Sequence, residues 1–170
     1  MRPPAVEVHA RGYKKAADYL EFQLAFIFCK TSCYDPVMTK SRYSYFIKRT
    51  PHGLGFFTAE PIPAGKRIVE YTGPLLSNEE VDKRKNGKYF FGVNTKWSID
   101  GTPRSNIARY INHSCRPNAE AIVSGRRVWI WSKRAIKAGE EISYNYGKEY
   151  FDVHIKPVGC KCVKCTEKKR

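Results

Sequence analysis

Residues 109–118 read Arg-Tyr-Ile-Asn-His-Ser-Cys-Arg-Pro-Asn. Neither regular structure suits this string. Asn, His, Ser and Cys in succession lack a strand's alternation, and their side chains compete with a helix for backbone hydrogen bonds. The spacing predicts an irregular loop whose backbone polar groups need specific partners, and loops held in that way often carry function. His113 beside Cys115 would also suit a cysteine hydrolase, but that chemistry needs a third group to orient the base, and the sequence supplies none.

On both sides of this loop the chain is a series of short β-rich runs cut by Gly, Pro and Asn. Candidate strands fall at 43–48, 55–58, 67–70, 90–93, 97–100, 119–123, 127–132 and 141–144. Ser124-Gly125 is a plausible hairpin turn between two of them. Ser77 and Glu80 have capping-box spacing ahead of 81–85, which predicts a helix there. Ile62, Ala64, Gly65 and Ile68 share an I-x-A-G-x-x-I pattern with Ile136, Ala138, Gly139 and Ile142. That echo is too short for a repeat architecture, and each copy reads as a turn delivering a strand. The body is therefore expected to be mainly β.

Residues 1–41 have a different texture: a polar start, an apolar stretch, then Asp35-Pro36 as a break. Leu20, Phe22, Leu24, Phe26 and Phe28 alternate as a strand would, whereas Ala16, Ala17, Glu21 and Gln23 suit a helix and Ile27 spoils the alternation. The expectation is a helical leader packed on the main domain.

The whole chain has 170 residues, 42% apolar and 14% aromatic, enough for one domain with a real core and too much ring area for general disorder. Its longest apolar run, 24–29, falls far short of the roughly 20 residues of a membrane span. Charged residues throughout the first two dozen positions also argue against a secretory signal. A reducing intracellular compartment is expected, whether cytoplasm, nucleoid or nucleus, so the cysteines read first as thiols or metal ligands. The formal charge is +15. Up to residue 85 there are 14 basic and 9 acidic residues, and beyond it 17 and 7. This excess favours polyanions, so nucleic acid is a candidate partner through the basic surface, although a merely soluble basic surface would look the same.

Cys160, Cys162 and Cys165 form C-x-C-x-x-C, and three soft ligands so close together favour zinc, which takes four in a structural site. Cys115 is the obvious fourth ligand, with His154 and His113 as alternatives. Idle thiols on a basic tail are the competing reading. Cys29 and Cys33 read as core residues rather than as a second metal site.

Taken in order, Gly53-Leu54-Gly55-Phe56, Tyr71-Thr72-Gly73, residues 109–118, Gly139-Glu140-Glu141-Ile142-Ser143-Tyr144-Asn145-Tyr146 and the cysteine tail closely resemble the SET-domain protein lysine methyltransferases. The resemblance covers about residues 43–165. It implies a SET-type β-clip fold of small curved sheets with few short helices, whose C-terminal segment threads under the N-H-S loop as a pseudoknot. The implied layout is a leader (1–41), a SET domain (42–150) and a post-SET zinc tail (151–170). Many members space the second and third tail cysteines by four residues where this chain has two, as other SET subgroups do. The leader does not match the cysteine-rich segment that often precedes the domain.

The resemblance also implies roles. The cofactor would be S-adenosylmethionine, held by Gly53, Leu54, Gly55, Tyr71, Arg109, Asn112 and His113, with glycine needed where a Cβ would collide with it. Tyr146 and Tyr144 would be catalytic and, with Tyr89, would line the lysine channel; a buried strand aromatic is the other reading of Tyr89. Cys115, Cys160, Cys162 and Cys165 would hold zinc. Arg109 and Glu141 are expected to pair inside the fold. Tyr at 144, where the family carries Phe or Tyr, implies mainly mono- or dimethylation. The substrate would be a chromatin-associated or other nucleic-acid-associated protein, histone-like or ribosomal, presented by a polyanion because like charges repel a free lysine-rich tail. A zinc-stapled scaffold that binds nucleic acid or chromatin without turnover is the alternative, and intact Tyr146, Asn112 and His113 speak against it.

Overall fold

The computed structural model describes residues 41–51, 53–84 and 87–167. The leader helix, Cys29 and Cys33 lie outside the described residues. Ten short strands dominate: β1 (Tyr45–Thr50), β2 (Gly53–Thr58), β3 (Arg67–Tyr71), β4 (Leu75–Ser77), β5 (Phe90–Gly92), β6 (Trp97–Asp100), β7 (Asn112–His113), β8 (Ala119–Ser124), β9 (Arg127–Ser132) and β10 (Ser143–Tyr144). They form small sheets in the orders β1-β2, β3-β9-β8, β4-β6-β5 and β10-β7.

Side-chain alternation explains how these strands pack. Along β9, Val128, Ile130 and Ser132 point inward and are buried, whereas Arg127, Trp129 and Trp131 point outward. Phe56, Ile62, Ile111, Ile130, Ile136 and Ile142 are almost fully buried and form the centre of one apolar cluster. Each such side chain contributes about 1.5–3 kcal/mol by leaving water.

The capping box at Ser77 and Glu80 is present, and the helix it opens, α1, is Asn78–Asp82. It ends earlier than expected because the Arg84 N–H turns back to Val81 O, and α1 has no buried residue to reward a further turn. The hairpin turn also differs by one position. Ser124 pairs with Arg127, so Gly125-Arg126 makes the turn, and Gly125 supplies the positive φ of +61°. The strand expected at 141–144 is paired only over Ser143–Tyr144, with Glu141 making an isolated bridge to Phe57. β4 and β7 were not anticipated, being three and two residues long.

The short echo noted in the sequence proves to be part of something larger. Ile62 and Ile136 pair with each other through two backbone hydrogen bonds of 2.9 and 2.8 Å. At that same offset along the chain, β1 becomes β8 and β2 becomes β9, residue for residue. The hairpin registers agree too: Tyr45 faces Thr58 as Ala119 faces Ser132. Crossed bonds are reciprocal, with Gly65 N–H to Ser132 O at 2.8 Å and Gly139 N–H to Thr58 O at 2.7 Å. Two hairpin-turn-strand units therefore clasp each other about an approximate two-fold axis at the Ile62–Ile136 bridge. Sequence similarity survives only at the clasp, because there each copy must present the same turn to the other.

Candidate active site

The 109–118 segment is anchored through Asn112, His113 and Asn118 and through the backbone N–H groups of Ser114 and Arg116. Residues Ile107–Tyr110 form a 3-10 turn that leads into β7, which lies parallel to β10. This crossing is the form taken by the expected threading of the C-terminal segment against the N-H-S loop. Asn118, 3% exposed, locks it. The Asn118 amide donates to Glu141 O at 2.8 Å and its Oδ1 accepts the Ser143 N–H at 2.9 Å. Asn112 performs the same service for β2, donating from Nδ2 to Glu141 Oε1 at 2.8 Å and to Leu54 O at 3.2 Å.

Glu141 therefore meets Asn112, and not Arg109 as the sequence suggested. The Arg109 guanidinium stacks 4.2 Å from the centroid of the Tyr89 ring. Its Nε is buried without a hydrogen-bond partner, so the aromatic face is what offsets the desolvation of this planar, weakly hydrated cation.

A cleft of about 690 Å³ opens beside this crossing, within the range that holds a small-molecule ligand. Gly53, Leu54, Tyr71, Tyr89, Arg109, Asn112, His113, Tyr144 and Tyr146 all line it. Gly55 does not. A Cβ there would come within 2.6 Å of Glu141 Oε1 and 2.7 Å of Thr50 Cγ2, so the glycine makes room for the protein itself. At Gly53 a Cβ would meet nothing, and the requirement is the φ of +112°.

One end of the cleft is aromatic. Ring centroids lie 5.5 Å apart for Tyr71 and Phe91, 4.8 Å for Tyr144 and Tyr146, and 4.9 Å for Tyr146 and Tyr150. Tyr146 Oη donates to Ile111 O at 2.6 Å, and Tyr71 Oη to Tyr89 O at 2.8 Å. Burial above all pushes the Tyr71, Tyr144 and Tyr146 phenols above their ordinary range, so these groups stay neutral and available as hydrogen-bond donors.

Tyr150 and His154 also line the cleft, and sequence reasoning missed both as site residues. Their rings lie 4.5 Å apart by centroid, and Tyr150 Oη donates to Lys88 O at 2.9 Å. The available signal was the four-residue spacing of Tyr146, Tyr150 and His154, which aligns side chains where a chain turns helical, as it does at Lys148–Tyr150 and Phe151–Ile155.

Cys115, Cys160, Cys162 and Cys165 bring their sulfurs within 4.8 Å of one another. Neither His154 nor His113 belongs to this group. Cys115 Sγ lies 3.9 Å from Cys160 Sγ and 3.7 Å from Cys165 Sγ. A tetrahedron with Zn–S bonds of about 2.3 Å requires sulfurs roughly 3.8 Å apart, so the donor set fits zinc in number, chemistry and spacing. Burial raises the Cys162 thiol, but the backbone N–H groups of Cys115 and Cys165 outweigh it and bring the thiol down to about 7. The cluster joins the 109–118 loop to the tail. His113 sits behind it, with Nε2 3.4 Å from Cys115 Sγ.

Among the described residues no helix is long and apolar enough to cross a membrane.

The SET domain family model matches residues 53–147. Over 127 residues the chain is 34% identical to the histone-lysine N-methyltransferase trithorax of Drosophila virilis, covering 68% of this chain and 3% of that protein. It is 33% identical over 122 residues to the histone-lysine N-methyltransferase EHMT1 of Homo sapiens, 65% of this chain and 9% of that one. With the histone-lysine N-methyltransferase 2D of Homo sapiens it shares 32% over 149 residues, 81% of this chain and 3% of the relative. The chain thus spans less than a tenth of the length of these relatives. The matched stretch starts at the first residue of β2 and ends one residue beyond Tyr146, taking in both sides of the crossing and the aromatic end of the cleft: the chain belongs to the SET-domain family.

Proposed function

We propose that this chain is an S-adenosylmethionine-dependent protein-lysine methyltransferase acting on a histone or another nucleic-acid-associated protein, with the nucleus as its place of action. One observation carries this reading: a single cleft is lined both by the polar β2–β7 junction at Gly53, Leu54, Asn112 and His113 and by the aromatic cluster of Tyr71, Tyr89, Phe91, Tyr144 and Tyr146. The first set suits a polar nucleoside-like cofactor, and the second an amine that must shed water. The names of the relatives, all histone-lysine N-methyltransferases, support histone lysine as the substrate.

When bound, the cofactor supplies an electrophilic methyl group on a positively charged sulfur. The protein's task is to deliver a neutral amine to it. A free lysine has a pKa near 10.4, and an aromatic, water-poor wall disfavours its charged form. The neutral tyrosines cannot take the proton, so it leaves towards solvent before transfer. Tyr146 and Tyr144 orient the amine by hydrogen bonding, Asn112 and His113 hold one side of the cofactor site, and zinc on the four cysteines ties the tail over it. A Tyr144 hydroxyl can retain a water beside the amine, and displacing an ordered water without replacing its bonds is unfavourable. The product is therefore mainly monomethyl-lysine with some dimethyl.

Incubation with labelled S-adenosylmethionine and either free histones or nucleosomes, followed by mass spectrometry, tests this. Methyl-lysine on a histone is expected. Absence of both cofactor binding and transfer to any host protein would overturn the reading.

A further inference from the structure

We propose that the outward face of the β3-β9-β8 sheet is a docking surface for the phosphate backbone of duplex nucleic acid. This inference does not depend on methyl transfer, because none of the arginines that carry it lines the cleft.

The face is built by register. Arg127, Trp129 and Trp131 project outward from β9, with Arg67 opposite Trp131 and Glu70 opposite Trp129 on β3. The Arg67 and Arg127 guanidiniums lie 4.4 and 4.6 Å from the centroid of the one Trp129 ring. Arg126, in the exposed turn, stacks 4.8 Å from the centroid of Trp97 on the neighbouring β6. Arg42 is tied to the same edge by its N–H to Ile68 O at 2.9 Å. Arg67 and Arg127 thus share one ring on this face, with Arg126 in the turn at one end of the sheet and Arg42 close enough to Arg67 to repel it.

Their partners are few. Glu70 is committed to Arg127 by two bonds of 2.7 Å. Glu120, opposite Trp131 on β8, is the other outward carboxylate. Among the described residues, Arg42, Arg67 and Arg126 make no ion pair. Arg67 is held below its ordinary value by burial and then by the repulsion of Arg42 and Arg127. Like charges crowded against indole rings cost energy in the free protein, and an anion laid across them relieves it. Contact with an indole ring restrains the Arg67, Arg126 and Arg127 guanidiniums, and a restrained guanidinium loses less freedom on meeting phosphate.

The same geometry chooses the kind of nucleic acid. Single strands bind by stacking bases on open aromatic faces. Trp129 already carries two guanidiniums and the Nε1 edge of Trp131 is buried, so this face offers cations rather than open rings, and contact falls to the backbone of a duplex.

The test measures binding of a labelled mixed-sequence DNA duplex by fluorescence anisotropy over a KCl series. It uses the full chain, Arg67→Gln, Arg126→Gln and the double variant. Each substitution is expected to weaken binding and reduce the slope of log K against log[salt] by about one, and the double variant by about two. A Lys137→Gln/Lys164→Gln control removes the same charge elsewhere and is expected to leave the slope within half a unit of the parent. Arg126 lies in an exposed turn, so its variant reports even if Arg67→Gln is poorly folded. Equal losses in the two double variants would mean diffuse attraction and overturn the proposal. Tighter binding of a single strand or of polyglutamate than of the duplex would overturn it as well, as would no duplex binding at low salt.

Discussion

Nδ1 of His113 accepts the backbone N–H of Tyr146 across 3.2 Å. Because that nitrogen accepts, the ring proton of the neutral imidazole lies on Nε2, the atom facing Cys115 Sγ. One side chain therefore spans the gap between the cysteine cluster and the backbone of the tyrosine at the aromatic end of the cleft. Metal analysis of the purified protein is expected to find one zinc per chain. Chelation should free the tail from Cys115 and, through His113, loosen Tyr146, so methyl transfer falls and returns when zinc is restored. Active protein without zinc would refute this.

Asn118→Ala should be among the more damaging single changes in the domain. It leaves the Ser143 N–H and Glu141 O without their partners in a buried place. A loss of about 2–4 kcal/mol is expected, measured by urea unfolding. A change below about 1 kcal/mol would show that water replaces the side chain.

Tyr146→Phe should keep the fold and cofactor affinity while reducing turnover by a large factor. It gives up the bond to Ile111 O, which contributes only about 1 kcal/mol to stability. Since burial keeps the phenols neutral, the rate of the parent enzyme should rise with pH as the substrate amine loses its proton, and the variant's residual rate should rise with the same apparent pKa. A wild-type rate in the variant would show that the wrong tyrosine had been assigned.

The turn that delivers the second half of the clasp carries an acid-sensitive lock. Burial alone would raise Glu140, but Arg134, the Lys137 N–H and Asn118 together bring its carboxyl down to about 2, from an ordinary 4.5. The folded form is the weaker proton binder, so this contribution is complete above pH 4.5 and is lost as the pH falls towards 2. Glu140→Gln should accordingly lower stability at neutral pH while flattening the acid limb between those values, read by thermal melting across pH.

What could be seen in the sequence was whatever depends on local chemistry. β6 and β9 match the expected strands at both ends, since β-branched and aromatic residues bounded by turn residues mark them, and Ser77 with Glu80 marked its helix start. The four cysteines met as expected because soft ligands at such spacing have few other uses. What could not be seen was set by distant partners. Asn112–His113 is a strand only because Ser143–Tyr144 lies beside it. The Arg109–Glu141 pair was inferred from charge alone, and charge does not reveal that the fold sets Arg109 against Tyr89 and Glu141 against Asn112. Tyr150 escaped notice, and His154 was weighed only as a zinc ligand, because their place in the cleft depends on the helical turn that follows Tyr146.

The Ile62–Ile136 clasp has a consequence for how the chain reaches its native state. Each hairpin closes locally and fast, but neither half can bury its clasp isoleucine until the other has been made and brought back across a long stretch of chain. During that interval each turn presents a backbone edge whose natural complement is nearly a copy of itself. Two molecules refolding at high concentration can satisfy those edges by exchanging halves, so slow, concentration-dependent formation of interlocked dimers is the expected misassembly.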